Sequence, residues 1–111
     1  MISQNRTQHR SANLRISSPK LNVENCASIA SEGKSLITAG AKELVIDVSE
    51  VTFVDSSGIG ALVSLRKKIG EDGRVVLLNP QAFVLKVLSL IRMNDVFEIR
   101  TTGAPRGAAY G

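Results

Sequence analysis

Along the chain the apolar residues change their spacing several times, and each change predicts a new element. Leu14 and Ile16 alternate with polar neighbours, the period of two that marks a short half-buried strand, and Pro19 must end it. From Asn22 the spacing becomes three, four or seven, so Val23, Cys26, Ala27, Ala30 and Ile37 fall along one inward face of a helix. Asn22 is its natural cap and Gly40 closes it. Cys26, on the inward face, reads as a small core residue rather than a reactive thiol. Glu43 to Val48 is a run of branched apolar residues too short for a helix, which predicts a buried central strand. Ser49 to Val54 continues as an extended connection with Val51 and Phe53 turned to one side.

Helical spacing returns after Asp55-Ser56-Ser57-Gly58, with the helix beginning near Ser57 and Ile59, Leu62, Val63 and Leu65 apolar. Arg66, Lys67 and Lys68 lie exposed near its end, where positive charge suits the helix dipole. Glu71-Asp72-Gly73 predicts a turn and Arg74 to Leu78 a second core strand. Asn79 then serves as cap and Pro80 as first helical residue of a third helix, with Phe83, Val84, Val87, Leu88 and Ile91 on one face. All of these are assigned to the core, so no apolar stripe is left over to argue for a dimer; a monomer is expected, with a dimer left open. Asn94-Asp95 supplies a turn before a last strand from Val96 to Arg100.

Strands and helices therefore alternate, which calls for a largely parallel sheet with right-handed crossovers. The expected fold class is α/β: a single domain with a four- to five-stranded, mostly parallel sheet covered by three to four helices. Its bounds are residues 13–100, between a flexible basic arm at 1–12 and a tail at 101–111 that holds Gly103, Pro105, Gly107 and Gly111.

Composition narrows the function classes. At 111 residues and 43% hydrophobic, the chain suits one modest core and no second domain. The net charge of +4 invites a nucleic-acid reading, yet its location argues against one. Arg6, Arg10, Arg15 and Lys20 fall in the first twenty positions, which hold no acid, and the other ten basic residues balance ten acidic ones. With only 4% aromatic residues there is no interleaving of the kind that stacks bases, so no direct nucleic-acid contact is expected. A single cysteine excludes a disulfide framework and a multi-cysteine zinc site. No apolar run is long enough to span a bilayer and the first residues lack the apolar centre of a signal peptide, so a cytoplasmic address without membrane insertion is expected.

Catalysis finds little support. The lone histidine, His9, sits in the polar arm, and neither a Gly-x-Ser-x-Gly elbow nor a phosphate-binding Gly-x-x-x-x-Gly-Lys loop is present. No enzyme, metal or cofactor is expected. The remaining candidate is Asp55-Ser56-Ser57-Gly58, which joins a strand to a helix N-terminus. Asp55 or Ser56 can accept bonds from unpaired N–H groups there, Ser56 and Ser57 offer hydroxyls, and Gly58 and Gly60 keep bulk away from an approaching protein. The dipole at that position also tolerates added negative charge. As four isolated letters, however, the motif is an ordinary helix cap.

Its surroundings are more specific. The stretch from Glu43 through Phe53 and Asp55-Ser56-Ser57-Gly58-Ile59-Gly60 to Leu62 resembles the signature region of STAS-domain anti-sigma-factor antagonists, and the resemblance continues through Gly73 to Asn79 and on to Phe97-Glu98-Ile99. In that family the serine after the aspartate is the phosphoacceptor, which corresponds to Ser56, with Asp55, Ser57, Gly58 and Ile59 shaping the docking surface; Ser57 stays open as an alternative acceptor. The resemblance implies that the unphosphorylated form binds an anti-sigma factor that is also a serine kinase and thereby releases the sigma factor. Phosphorylation of Ser56 ends the contact, and a PP2C-type phosphatase restores it. The family usually has Gly-Glu-Leu-Asp before the first helix where this chain has Pro19-Lys20-Leu21-Asn22. The alternative within the same fold is a non-switching STAS subunit of a lipid or anion transporter, or a stress-signalling scaffold.

Overall fold

Two central strands with three consecutive buried residues each, Leu44 to Ile46 and Val75 to Leu77, anchor the sheet of this computed structural model, which describes residues 10–102. Residues 1–9 of the expected arm, with Arg6 and His9, and residues 103–111 of the expected tail lie outside the described residues. Strands β1 (Ser11–Arg15), β3 (Glu43–Asp47), β5 (Arg74–Leu78) and β6 (Glu98–Arg100) form a four-stranded parallel sheet in that spatial order, while the short β2 (Lys20–Leu21) and β4 (Phe53–Val54) pair with each other. Helices α1 (Cys26–Thr38), α2 (Ser56–Ile69) and α3 (Ala82–Leu90) connect them. The α/β class, four-stranded parallel sheet and three helices are as the sequence predicts. Its first strand begins at Ser11, inside the stretch assigned to the arm.

In the sheet the order in space is the order in sequence, so every crossover winds the same way. A right-handed crossover that always advances in one direction leaves its helix on one face. The register shows which: Leu14 is level with Ile46, Ile46 with Leu77 and Leu77 with Ile99. These residues share one core with Ile29 of α1, Leu62, Leu65 and Ile69 of α2, and Val84 and Leu88 of α3. Burying each large side chain of this kind contributes about 1.5–3 kcal/mol. At Gly33 of α1 an added Cβ would lie 2.6 Å from Leu65 Cδ2, so glycine is what lets α1 and α2 approach this closely.

The three helices cover that one face, and among the described residues the opposite sheet face carries no helix. It displays Asn13, Arg15, Glu43, Arg74, Glu98 and Arg100 around Val45 and Val76. Arg100 donates to Glu43 Oε2 at 2.9 Å and to Glu98 Oε2 at 2.8 Å, so one guanidinium bridges over β5 near Val76. Hydrogen bonding from Arg100 holds both carboxyls below their ordinary value of 4.5. A carboxyl depressed in the folded state stabilises it above the unfolded value, and that contribution fades as the pH falls through the folded value. An Arg100→Met variant is therefore expected to melt below the wild type near neutral pH, with the gap closing as the pH is taken beneath 4.5. Thermal melts of both proteins across that range check it; a gap independent of pH would contradict the ion-pair account.

Three local expectations are corrected by tertiary packing. Asn22 does not cap α1: its Oδ1 accepts from Glu24 N–H and its carbonyl from Cys26 N–H, closing a turn, and the helix starts only at Cys26. Hence Val23 is exposed, Cys26 and Ala30 are half-buried and Ala27 is exposed; the inward face is Ile29 and Gly33, flanked by Leu36 and Ile37. Val51 is buried but Phe53 is not, because a turn in which Val51 N–H donates to Val48 O interrupts the alternation. Asn79 is not a helix cap. It adopts a left-handed φ of 56°, which asparagine tolerates, and its side chain ties the end of β6 by bonding both the N–H and the hydroxyl of Thr102. Gln81 takes the cap position of α3 and Pro80 falls before the helix.

Candidate functional site

The segment before α2 is held by its neighbour, the segment before α1. Thr52 and Phe53 N–H groups both donate to Pro19 O, Lys20 is level with Phe53 and Leu21 with Val54, and Asp55 N–H donates to Leu21 O at 3.2 Å. Two loops distant in sequence thus form one ledge at the carboxyl edge of the sheet.

On that ledge Asp55 is the helix cap: it is extended, with φ −109° and ψ −174°, and its Oδ1 accepts from Gly58 N–H at 2.9 Å. Its own carbonyl accepts from Ile59 N–H at 2.9 Å, the first bond of α2. Replacing Asp55 with alanine should cost about 0.5–2 kcal/mol of stability, while asparagine keeps most of it, because either oxygen can accept that bond. Urea unfolding of the two variants checks this; equal losses would show that the charge, and not the acceptor, matters.

Ser56 is the first helical residue and is exposed, while Ser57 is half-buried. Among the described residues neither hydroxyl bonds to a protein group. With the Asp55 carboxylate occupied by Gly58, the Ser56 and Ser57 N–H groups lie in the unpaired first turn, where the helix dipole favours an anion by about 0.3–1 kcal/mol. A phosphoryl group on Ser56 therefore has room, orphan donors and a favourable dipole, with the neighbouring Asp55 carboxylate opposing it.

Gly58 plays a different part from the one its sequence position suggests. It is buried, and a Cβ there would lie 2.4 Å from Leu21 O, so its bareness serves internal packing and not an incoming partner. Gly60 has nothing within 4 Å of an added Cβ and is the glycine that leaves the surface open. Ile59 is half-buried against the core. The motif thus brings together Ser56, Ser57, part of Ile59 and Gly60 at the surface, with Asp55 as the internal fastener.

Two features were missed from the sequence. Phe53 is 42% exposed and stacks on Phe83, ring centroids 6.0 Å apart and planes within 16°; Phe83 itself is 41% exposed. The spacing places Phe83 and Ile91 in the core, yet α3 buries only Val84 and Leu88, and Leu90 stands 73% exposed. An apolar surface is therefore left over, contrary to the sequence expectation. The signal was available: the run Ala82 to Leu90 is apolar nearly all round, and one 9-residue helix on one core cannot bury every side.

Among the described residues, no group of histidine, cysteine and acidic side chains could hold a metal ion, and no helix is long and apolar enough to cross a membrane.

Comparison with known proteins matches this fold. The family model described as "STAS domain" aligns with residues 4–104. An anti-sigma-factor antagonist (STAS) domain protein from Planctomyces limnophilus superposes with a TM-score of 0.75 at 25% identity, over 88% of this chain and 90% of its own. The anti-sigma factor antagonist SpoIIAA in its unphosphorylated form gives a TM-score of 0.69 at 21% identity, over 95% and 89%. The Bacillus cell fate determinant SpoIIAA in its phosphorylated form gives 0.64 at 20%, over 95% and 92%.

Proposed function

This chain belongs to the STAS domain family, and on that premise we propose that it is an anti-sigma-factor antagonist switched by phosphorylation of Ser56. In its unphosphorylated form it binds an anti-sigma factor that is also a serine kinase, which frees the sigma factor. The kinase spends ATP to place a phosphoryl group on the Ser56 oxygen, the hydroxyl proton leaves, and ADP departs. A PP2C-type phosphatase hydrolyses the phosphoester and restores binding. The chain itself acts as a ligand and substrate, not as a catalyst.

The observation that carries this reading is the exposed Ser56 at the first position of α2, with its loop fastened from inside by Asp55 and Gly58. Modification there adds close to two negative charges at the surface without touching a core contact. The comparison proteins support it, since SpoIIAA is known in both an unphosphorylated and a phosphorylated form. Ser57 is the poorer acceptor because it is half-buried.

Incubation with ATP and the ATP-binding anti-sigma factor encoded nearest to its gene tests the reading. Intact mass should rise by one phosphate in the wild type and in Ser57→Ala, and not in Ser56→Ala. A phosphate retained in Ser56→Ala would overturn the assignment, and none in any variant would favour a non-switching role for the domain.

A further inference from the structure

The Ser56 ledge continues into a surface that the switch reading alone does not use. Phe53, three residues before Ser56, stacks on Phe83 of α3, and Phe83, Lys86 and Leu90 recur at intervals of three and four along that helix. They form one stripe, because side chains at those intervals share a helix face. All three are exposed, as is Lys20, the strand partner of Phe53. From Ala82 to Met93 the chain has no carboxylate.

An apolar stripe that carries Lys86 and Lys20, on a helix with no carboxylate of its own, selects its partner by charge. A second copy docking by two-fold symmetry would set the same patch against itself, bringing Lys86 toward Lys86. We infer that the stripe Phe53, Phe83, Lys86 and Leu90, with Lys20 at its edge, is the docking surface for a carboxylate-bearing apolar segment of the anti-sigma partner. This rests on the switch reading and deepens it. Lys20, level with Phe53, puts a second positive charge at the ledge itself, which calls for acidic groups opposite. Phosphate on Ser56 would then face those same carboxylates, and repulsion between them opens the complex.

The experiment uses the full chain and the same nearest-encoded ATP-binding anti-sigma factor, with affinity measured at low and high salt beside the phosphate gain on Ser56. Lys86→Glu and Leu90→Ser alter exposed side chains and should each weaken binding at least tenfold, Lys86→Glu mostly at low salt. Lys67→Glu makes the same charge change at the far end of α2 and should bind as the wild type does. If both stripe variants bind as tightly as the wild type while Ser56 is phosphorylated, the docking surface is overturned and the switch stands. Binding that depends on the stripe without any phosphorylation keeps the surface and removes the switch, and a wild type that neither binds nor gains phosphate overturns both. Lys86-dependent sedimentation with phosphatidylglycerol vesicles, or a wild-type dimer dissolved by Leu90→Ser, would overturn the protein partner in favour of lipid or a second copy.

Discussion

Alanine at Gly58 is expected to lower the stability of this domain by about 1–3 kcal/mol, the range for forcing extra volume into a packed interior, and so to lower its melting temperature by roughly 5–20 °C. In an unconstrained helix the same change would stabilise, since alanine is the better helix former by about 1 kcal/mol. The sign is reversed by what the methyl meets. Leu21 O lies 2.4 Å from the Cβ position, Leu21 Cγ at 2.8 Å and Val54 Cγ2 at 2.9 Å. The carbonyl cannot simply retreat, because Asp55 N–H bonds to it and β2 is paired with β4. Gly60→Ala, two residues on and facing open space, should show the uncomplicated gain of about 0.5–1 kcal/mol. Thermal and urea unfolding of the two variants side by side decides the matter. If Gly58→Ala is as stable as Gly60→Ala, the ledge is not packed as described.

Aspartate at Ser56 should leave the fold within about 0.5 kcal/mol of the wild type, as for other exposed substitutions, yet weaken the anti-sigma partner about a hundredfold. The first half follows from position: the side chain is exposed, lies in the first helical turn and makes no hydrogen bond among the described residues. A negative charge there gains from the dipole and loses a little to Asp55 beside it. The second half follows from the interface, where like charges brought together cost several kcal/mol and each 1.4 kcal/mol is about a tenfold change in affinity. Ser56→Ala, with no charge and less bulk, should bind as the wild type does and resist phosphorylation. Calorimetric titration of the three proteins reads all of this. Undiminished affinity in Ser56→Asp would sink the switch.

Local pattern carried much of this. The strands at Glu43 and Arg74 are each a dense run of branched apolar residues, and five-residue runs of that kind have few other ways to satisfy both backbone and side chains. Helix α2 was legible for a similar reason, since Asp55 is a strong cap and Leu62 and Leu65 recur at helical spacing. The candidate site was legible as a motif, and Ser56 lies where the motif implied. In α1 the pattern gives the wrong phase because alanine, serine and cysteine offer a weak contrast between faces. Its true inward face includes Gly33, a residue no hydrophobic periodicity would select.

The glycine roles and the surface of α3 depended on distance. Gly58 and Gly60 are alike as letters, and only the approach of Leu21, 37 positions earlier in the chain, makes one of them indispensable to packing. Phe83 is as apolar as Val84, and only the limited reach of one core leaves the first outside.

By itself, then, the sequence determined the α/β order, the central strands and a helix start within Asp55 to Ser57, because these depend on residues within a turn or two of each other. Tertiary structure decided which sheet face is helix-covered among the described residues, which glycine is sealed and which apolar side chains remain at the surface. Those outcomes depend on what packs against each residue from far along the chain, and no local pattern encodes that.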